Sequence, residues 1–430
     1  MVVLFLSSSI YNSEIPEFTR NKTGFGKMVK DIIENTSDLA GTYLLTHVIR
    51  KKGTMGKTVI VSHTWKDIVS SLSLKYFFRG IYYSCKFKQT FKDHLRYVYY
   101  YVNAGYVRKT IKKLKPDIVH IHGIGYMNKP YIEVCKELRI PFLVTLHGLN
   151  GLNDSVTAPQ HEKDLEKTFL QQSELENISV SVISSGMKKR IIENYGLKNG
   201  HNISVITNGT NLIKNRKDSN KTKNNRNNRN NRINIRVKYT IPEKSKLAIC
   251  VGNITVNKNQ TQVVEAYEHL KKEYRDLVIL FLGNPGGTVK LQEKINELGY
   301  AKQIICCGFI EKDDISSYYE AADCNIVASI NEGFGLSIIE AFVYGVPTVT
   351  FSDLDAVTDL YHDKTMVLAN DRSSHSLAKA LEKVLDADWD KTYIASYAKK
   401  FSLGKMAEEY HNSYLRIIRN RCDYDNRSTI

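Results

Sequence analysis

The residues best suited to do chemistry stand in NEGFGLSIIEAFVYGVP, residues 331–347, where Glu332 and Glu340 bracket two glycines, an aromatic ring and a short apolar run. Two carboxylates so close in sequence invite comparison with a glycosidase pair. On one continuous helix they would lie about 12 Å apart along the axis at 1.5 Å per residue. That is well beyond the roughly 5–5.5 Å of a retaining pair. The upstream CNIVASI instead reads as a strand, NEGFG as a loop, and LSIIEAFVYG as a helix stopped by Gly345 before Pro347. Glu332 then falls in a loop at the carboxyl end of a strand, and Glu340 falls inside the helix. The amides of Gly333, Phe334, Gly335 and Leu336 would face an incoming anion at the positive end of that helix. Such a constellation suits a nucleotide sugar, with a loop carboxylate for sugar hydroxyls, amides for sugar or phosphate oxygens, and a helix carboxylate for the ribose diol. The plainer alternative is a capped helix with one solvated and one paired glutamate.

Other candidates are sparser. His147 closes the apolar run PFLVTLHG just before a loop, where ligands bind in open α/β sheets. It could donate a hydrogen bond to a sugar or phosphate. His120 and His122 alternate on one strand and share a face, but further metal ligands are missing, so they read as structural. Gly24 and Gly26 open an amphipathic helix whose amides suit an anion, or simply make a turn; Val29 stands where a dinucleotide fingerprint needs its third glycine. GTMGKT at 53–58 ends like a phosphate loop, yet Lys51 occupies the position of its first glycine. The DLD at 353–355 fits a metal-binding pattern but lies beyond the motif helix. The seven cysteines form no zinc spacing, and several sit in apolar runs, which predicts reduced core residues in a cytosolic protein.

These residues need a scaffold, and short β-rich runs alternate with helix-like segments along the whole chain, the pattern of βαβ units and parallel sheets. Strands are expected at 2–8, 58–63, 117–123, 141–148, 179–185 and 204–209, then at 247–253, 276–283, 303–309, 324–329, 347–352 and 365–370. Their near-continuous apolar character implies helices on both sheet faces. A length of 430 residues exceeds what one core supports, so two domains are expected. The opening MVVLFLSSS lacks a basic region and reads as a first strand rather than a signal peptide. The net charge of +16 is local: residues 75–115 carry 11 Lys/Arg against one acid, and residues 214–238 carry 10 against one. The second of these, rich in Asn and Arg, has no aromatics to stack bases, so it reads as a linker or insertion rather than a nucleic-acid grip. The first interleaves its cations with aromatics. It reads equally as an amphipathic surface for an anionic membrane and as a helical pair packed on the first sheet with its polar face solvated.

Taken together, these segments resemble the retaining glycosyltransferases of family four. NEGFGLSIIEAFVYGVPTV is similar to that family's E-x7-E motif, and KPDIVHIHG, PFLVTLHGL, SVISSGMKKRIIENYGL, SVITNGTNL, VGNITVNKNQTQVVEAY and FIEKDDISSYYEAADCNIVAS resemble its segments in order. The likeness is weakest over 50–115 and in the Asn/Arg-rich stretch. It implies an α/β protein of the GT-B type, with two Rossmann-like domains facing across a cleft. The acceptor domain would span 1–213, the basic linker 214–238, the nucleotide-sugar domain 239–403, and a C-terminal helix over 404–430 would pack back on the first domain. By position, Glu332 resembles the carboxylate that contacts the donor sugar, Glu340 the ribose ligand, and His147 the histidine near the donor sugar. Gly24 and Gly26 match the glycine loop by the diphosphate, and Lys258 matches the phosphate-binding lysine. Gly333, Phe334, Gly335, Leu336 and Phe309 fall at further donor-binding positions. The family usually carries an arginine five residues before that lysine, where this chain has Asn253; an amide cannot supply the bidentate charge of a guanidinium.

The resemblance implies transfer of a sugar from a nucleoside-diphosphate donor to a glycan or lipid-linked hydroxyl with retention at the anomeric carbon. No metal or other cofactor is implied. The expected setting is cytoplasmic, peripheral on the inner face of the membrane, in cell-surface polysaccharide assembly. Three rival readings are a sugar-nucleotide epimerase of the same fold, a nucleic-acid-binding protein using the basic linker, and a catalytically silent scaffold.

Overall fold

The computed structural model describes every residue except 8, 21–22, 49, 87–89, 154–157, 211–234, 285, 287, 312–313 and 428–430. Two compact units emerge, one from Met1–Ile183, Met187–Asn208 and Leu403–Ile430, the other from Ser184–Gly186 and Gly209–Ser402. Of the basic stretch expected as a linker, 214–234 lies outside the described residues. Its end corrects the expectation: 235–238 is helical, and Arg236 is buried in the second unit. The guanidinium donates to the carbonyls of Pro242 and Ser245 at 2.8 and 2.9 Å and pairs with Asp323. A buried arginine needs such partners, so this cation serves the fold and is withdrawn from any solvated basic run.

The first unit holds eight strands: β1 (Val2–Ser7), β2 (Gly41–Thr46), β3 (Gly53–Met55), β4 (Thr58–Ile60), β5 (Ile118–His122), β6 (Phe142–Leu146), β7 (Ser179–Val182) and β8 (Ile203–Val205). Their order is β3-β4-β2-β1-β5-β6-β7-β8, parallel throughout except for the antiparallel β3–β4 pair. Strands β2 and β3 were not among those expected. The GTMGKT stretch is a β-hairpin whose two-residue turn places Gly56 at φ +55°, the backbone twist that tight hairpins require. The second unit holds β9 (Leu247–Val251), β10 (Val278–Leu282), β11 (Ile304–Gly308), β12 (Cys324–Val327), β13 (Thr348–Phe351) and β14 (Met366–Ala369), in the all-parallel order β11-β10-β9-β12-β13-β14. Alternate residues serve opposite faces: Ala248, Cys250, Ile279 and Phe281 join one core cluster, whereas Leu247, Ile249, Val278 and Leu280 join another. A strand with two buried faces has no polar side to show, which is why these runs read as nearly continuous apolar segments.

Five helices of the first unit matter below: α1 (Gly24–Thr36), α2 (Trp65–Val69), α3 (Leu74–Cys85), α4 (Phe91–Leu114) and α5 (Lys129–Glu137). The helical pair α3–α4 packs through Gly80, where an added Cβ would lie 3.0 Å from Tyr101 and Val98. On α5, Glu137 takes ion pairs from Lys75 and Arg79, and Glu133 accepts from Tyr101 and Lys129. The pair therefore docks on the unit, as one of the two readings had it, and the face it leaves to solvent includes the exposed Leu74, Phe78 and Tyr82. The C-terminal helix Leu403–Arg427 belongs to the first unit, and its Tyr414 hydroxyl reaches His120 Nδ1 at 2.7 Å. Among the described residues, no helix is long and apolar enough to cross a membrane. Cys135, Cys250 and Cys324 are buried as expected, whereas Cys85 is exposed.

Candidate functional site

In an open parallel sheet, ligands gather at the carboxyl ends of the strands, at the point where the strand order reverses. In the second unit that point lies between β9 and β12, and the loops after these two strands carry Lys258 and Glu332. The two side chains meet: Lys258 Nζ lies 2.5 Å from Glu332 Oε2. Glu332 also accepts from Ser329 Oγ at 3.2 Å and, through Oε1, from the Gly335 amide at 3.3 Å. It thereby satisfies an otherwise orphaned amide at the start of helix Leu336–Val343. Burial lowers the Lys258 pKa, but the Glu332 charge and hydrogen bond outweigh it and hold the ammonium above its ordinary value. The result is an ordered Lys258–Glu332 ion pair at a helix N-terminus, whose ammonium and amides are the groups that suit an anionic ligand.

The remaining candidates of this unit take distinct places. Gly335 adopts φ +77°, and a Cβ there would run into Ile338 at 2.6 Å, so the turn into the helix requires glycine. Gly333 is half-buried beside it, and the Phe334 ring is buried against Phe401, so Phe334 supplies packing and a backbone amide. Leu336 begins the helix, and Glu340, one turn further in, accepts from the Tyr319 hydroxyl at 3.0 Å. Asn253 follows β9, and its Oδ1 accepts the Asn284 amide at 3.1 Å. Phe309 follows β11 and is half exposed. The Asp353 of the DLD pattern is committed to Arg372 at 2.8 Å, and among the described residues no cluster could hold a metal ion.

Sequence reasoning missed the residues that hold these loops in register. Asn257 clamps the Glu332 loop three times: its Nδ2 donates to the Asn331 carbonyl, its Oδ1 accepts the Asn331 amide, and its carbonyl accepts the Ile330 amide. From the other side, Arg372 donates to the carbonyls of Ser329 and Ile330 at 2.6 and 2.9 Å. Neither residue carries a periodicity or a motif of its own. Asn257 adjoins Lys258, and that adjacency was the one available clue.

In the first unit the order reverses between β1 and β5. The chain leaving β1 reaches α1, whose cap residue Thr23 accepts the Gly26 amide at 3.1 Å. A Cβ at Gly24 would meet no protein atom within 4 Å, so packing alone does not demand glycine there. His147 follows β6 and packs edge-on against Phe25 at 5.0 Å. Its Nε2 shares a hydrogen bond with His122 Nδ1 at 3.0 Å, and among the described residues its buried Nδ1 meets no hydrogen-bond partner. Burial lowers the His147 pKa to about 4 and holds His120 and His122 well below the ordinary value. All three rings are therefore neutral near pH 7. If His122 donates to Nε2, His147 carries its proton on the buried Nδ1 as a neutral donor. His120 is saturated by Tyr414 and Thr145, which makes it structural.

Comparison with known proteins follows the same division. Residues 54–214 match the model of "Glycosyltransferase Family 4", and residues 231–401 match that of "Glycosyl transferases group 1". The alpha-monoglucosyldiacylglycerol synthase of Acholeplasma laidlawii is 28% identical over 255 residues, 58% of this chain and 61% of that protein. The putative teichuronic acid biosynthesis glycosyltransferase TuaC of Bacillus subtilis is 24% identical over 323 residues, 74% of this chain and 75% of the relative. Among solved structures, Anabaena HepE in complex with UDP superposes with a TM-score of 0.66 at 16% identity, covering 96% of this chain and 99% of that one. Two successive family matches, together with two parallel-sheet units of the same architecture, identify the chain as a family-four-like glycosyltransferase of the GT-B fold.

Proposed function

We propose that the protein moves a sugar from a nucleoside-diphosphate donor to a hydroxyl of a glycan or lipid-linked acceptor, with retention at the anomeric carbon and without a metal ion. The observation that carries this reading is the Lys258–Glu332 pair at the β9/β12 switch point, set at the first turn of the helix that bears Glu340. In this reading Glu332 orients hydroxyls of the donor sugar, Glu340 takes the ribose diol, and the Gly333–Leu336 amides with Lys258 receive phosphate oxygens. Within the first unit, Gly24 and Gly26 offer amides at the start of α1, and His147 offers a neutral imidazole donor. Phe309 flanks the nucleoside. The bond from the anomeric carbon to the diphosphate oxygen breaks as the acceptor oxygen bonds to the same face, and the departing phosphate takes the acceptor's proton. Lys258 offsets the charge that develops on the leaving group, the kind of contribution that usually dominates catalysis. With Asn253 at the usual arginine position, that load falls more heavily on Lys258 and the amides.

The names of relatives support the acceptor classes: one is a diacylglycerol glycolipid synthase, another a teichuronic acid glycosyltransferase, and the solved HepE holds UDP. A cytoplasmic placement against the inner face of a membrane, serving surface polysaccharide or glycolipid assembly, accords with both. The test is Glu332→Gln in the presence of a chelator. Wild type should turn over unimpeded by EDTA, and the variant should lose at least about 10²-fold in turnover with its melting temperature retained. Unchanged turnover in Glu332→Gln would remove the donor-site assignment. Release of free or epimerised sugar from donor alone would favour the epimerase reading.

A further inference from the structure

Helix α3 is amphipathic in an unusual sense, because its apolar stripe points away from the protein. Tyr76, Gly80 and Ser84 form its buried line against the unit. The opposite side carries Leu74, Phe77, Phe78, Ile81 and Tyr82, spaced i, i+3, i+4, i+7 and i+8, with Leu74 75% and Phe78 62% exposed. Trp65 on α2 and Phe91 at the start of α4 are likewise exposed, at 61% and 77%. An exposed apolar grouping of this kind marks a contact surface.

Its charge identifies the occupant. Residues 75–115 carry 11 Lys/Arg against the single acid Asp93, which is engaged by Thr90 and Arg96; Lys75 and Arg79 are paired with Glu133 and Glu137 on α5, and the other cations of the segment supply its positive charge. Lys66 on α2, Lys86 at the end of α3 and Lys92 at the start of α4 are exposed, and Lys86 lies 4.6 Å from the Tyr82 ring centroid. Apolar and aromatic side chains accompanied by cations complement an anionic lipid surface, where rings sit at the headgroup level and ammonium groups meet phosphates. A second copy of the same face would oppose cation to cation.

We propose that α3, flanked by α2 and the start of α4, seats the first unit on an anionic bilayer by inserting Leu74, Phe78 and their neighbours between headgroups. This rests on the proposed function only for its purpose, in that it would bring the active face to a lipid-linked acceptor. The docking itself requires neither donor nor acceptor.

The experiment is flotation of the full chain with vesicles of phosphatidylglycerol and phosphatidylcholine, and with phosphatidylcholine alone. Wild type should float with the anionic vesicles and not with the neutral ones. Leu74→Ser/Phe78→Ser should lose at least tenfold in binding, and Lys86→Gln and Lys92→Gln about fivefold each at low salt. All variants should keep the wild-type melting temperature, since the altered side chains are exposed. Equal flotation of wild type and the Leu74→Ser/Phe78→Ser variant would overturn the proposal. So would a wild-type dimer in sedimentation velocity that this variant converts to monomer while flotation stays unchanged, which would assign the surface to a second copy. Loss of turnover in Glu332→Gln with normal flotation, or the reverse, separates the two proposals.

Discussion

Arg372→Ala tests whether the loop bearing Glu332 is held by the fold or merely passes through its position. The guanidinium donates to Ser329 O at 2.6 Å and Ile330 O at 2.9 Å, pairs with Asp353 at 2.8 Å, and lies 4.5 Å from the Phe351 ring centroid. The Asp353 side chain is 59% exposed, so that pair contributes little, within about 1 kcal/mol. The two carbonyl bonds have a charged donor and would contribute about 1.5–3 kcal/mol each if fully buried. Arg372 itself is 33% exposed, and water entering its place recovers part of that, which leaves about 2 kcal/mol for the two. The ring contact adds about 0.5 kcal/mol. The expected destabilisation is therefore about 3 kcal/mol, or a fall in melting temperature of about 6–12 °C for a unit of this size. Turnover should fall further than stability suggests, because a displacement of order 1 Å at a reacting centre costs about 10²-fold. Arg372→Lys keeps the charge but not the planar fork that spans two carbonyls, so it should recover only part of the stability and little of the turnover. The assays are thermal melting and kcat and KM for the donor at 25 °C. Wild-type melting together with turnover within threefold of wild type in Arg372→Ala would show that the clamp does not set the Glu332 geometry.

Three further outcomes follow from the structure. Burial lowers the pKa of His47 to about 3 and of His147 to about 4, and places His120 and His122 well below the ordinary value. Their unfolded pKa is about 6.5, so the unfolded chain takes up protons first. The stability of the first unit should be whole above pH 6.5 and decline as pH falls from there toward 4. Thermal melting between pH 7 and 4.5 should show this, with a shallower slope in His147→Asn; a flat profile would contradict the buried neutral rings. Separately, a Cβ at Gly283 would run into the carbonyl of Gly252 and the amide of Asn253, so Gly283→Ala should lower the melting temperature and donor binding together. Gly24→Ala meets no protein atom and should leave melting unchanged while weakening donor binding, read as thermal stabilisation by the nucleotide sugar.

The parts of this molecule that were legible beforehand share a physical cause. The second sheet's central strands β9, β10, β12 and β13 could be read because they are buried on both faces, and the half-buried edge strands β11 and β14 because their positions are still mostly apolar. Strands β2 and β3 carry no such mark. GTYLLT is one short run, and GTMGKT owes its strand to a partner across a two-residue turn, which composition does not record. Periodicity shows that a helix has an apolar face but not what the face meets. On α3 the same i, i+3, i+4 spacing that normally signals a core points outward, and only the packing through Gly80 decides the direction.

The candidate site divides in the same way. Glu332 and Glu340 were visible because a loop and a helix beside each other leave a local signature, whereas the atoms that aim Glu332 come from loops 74 residues before it and about 40 after it. Polar loop residues such as Asn257 and Arg372 have no period, and their partners are backbone atoms that any residue supplies. The interval between the two glutamates is thus not a distance that chemistry uses. It is the length of chain needed to place one carboxylate on Lys258 at the mouth of a helix and the other beside Tyr319 within it. A change that kept both glutamates but altered the turn at Gly335 should therefore uncouple Glu332 from Lys258 while leaving Glu340 in place.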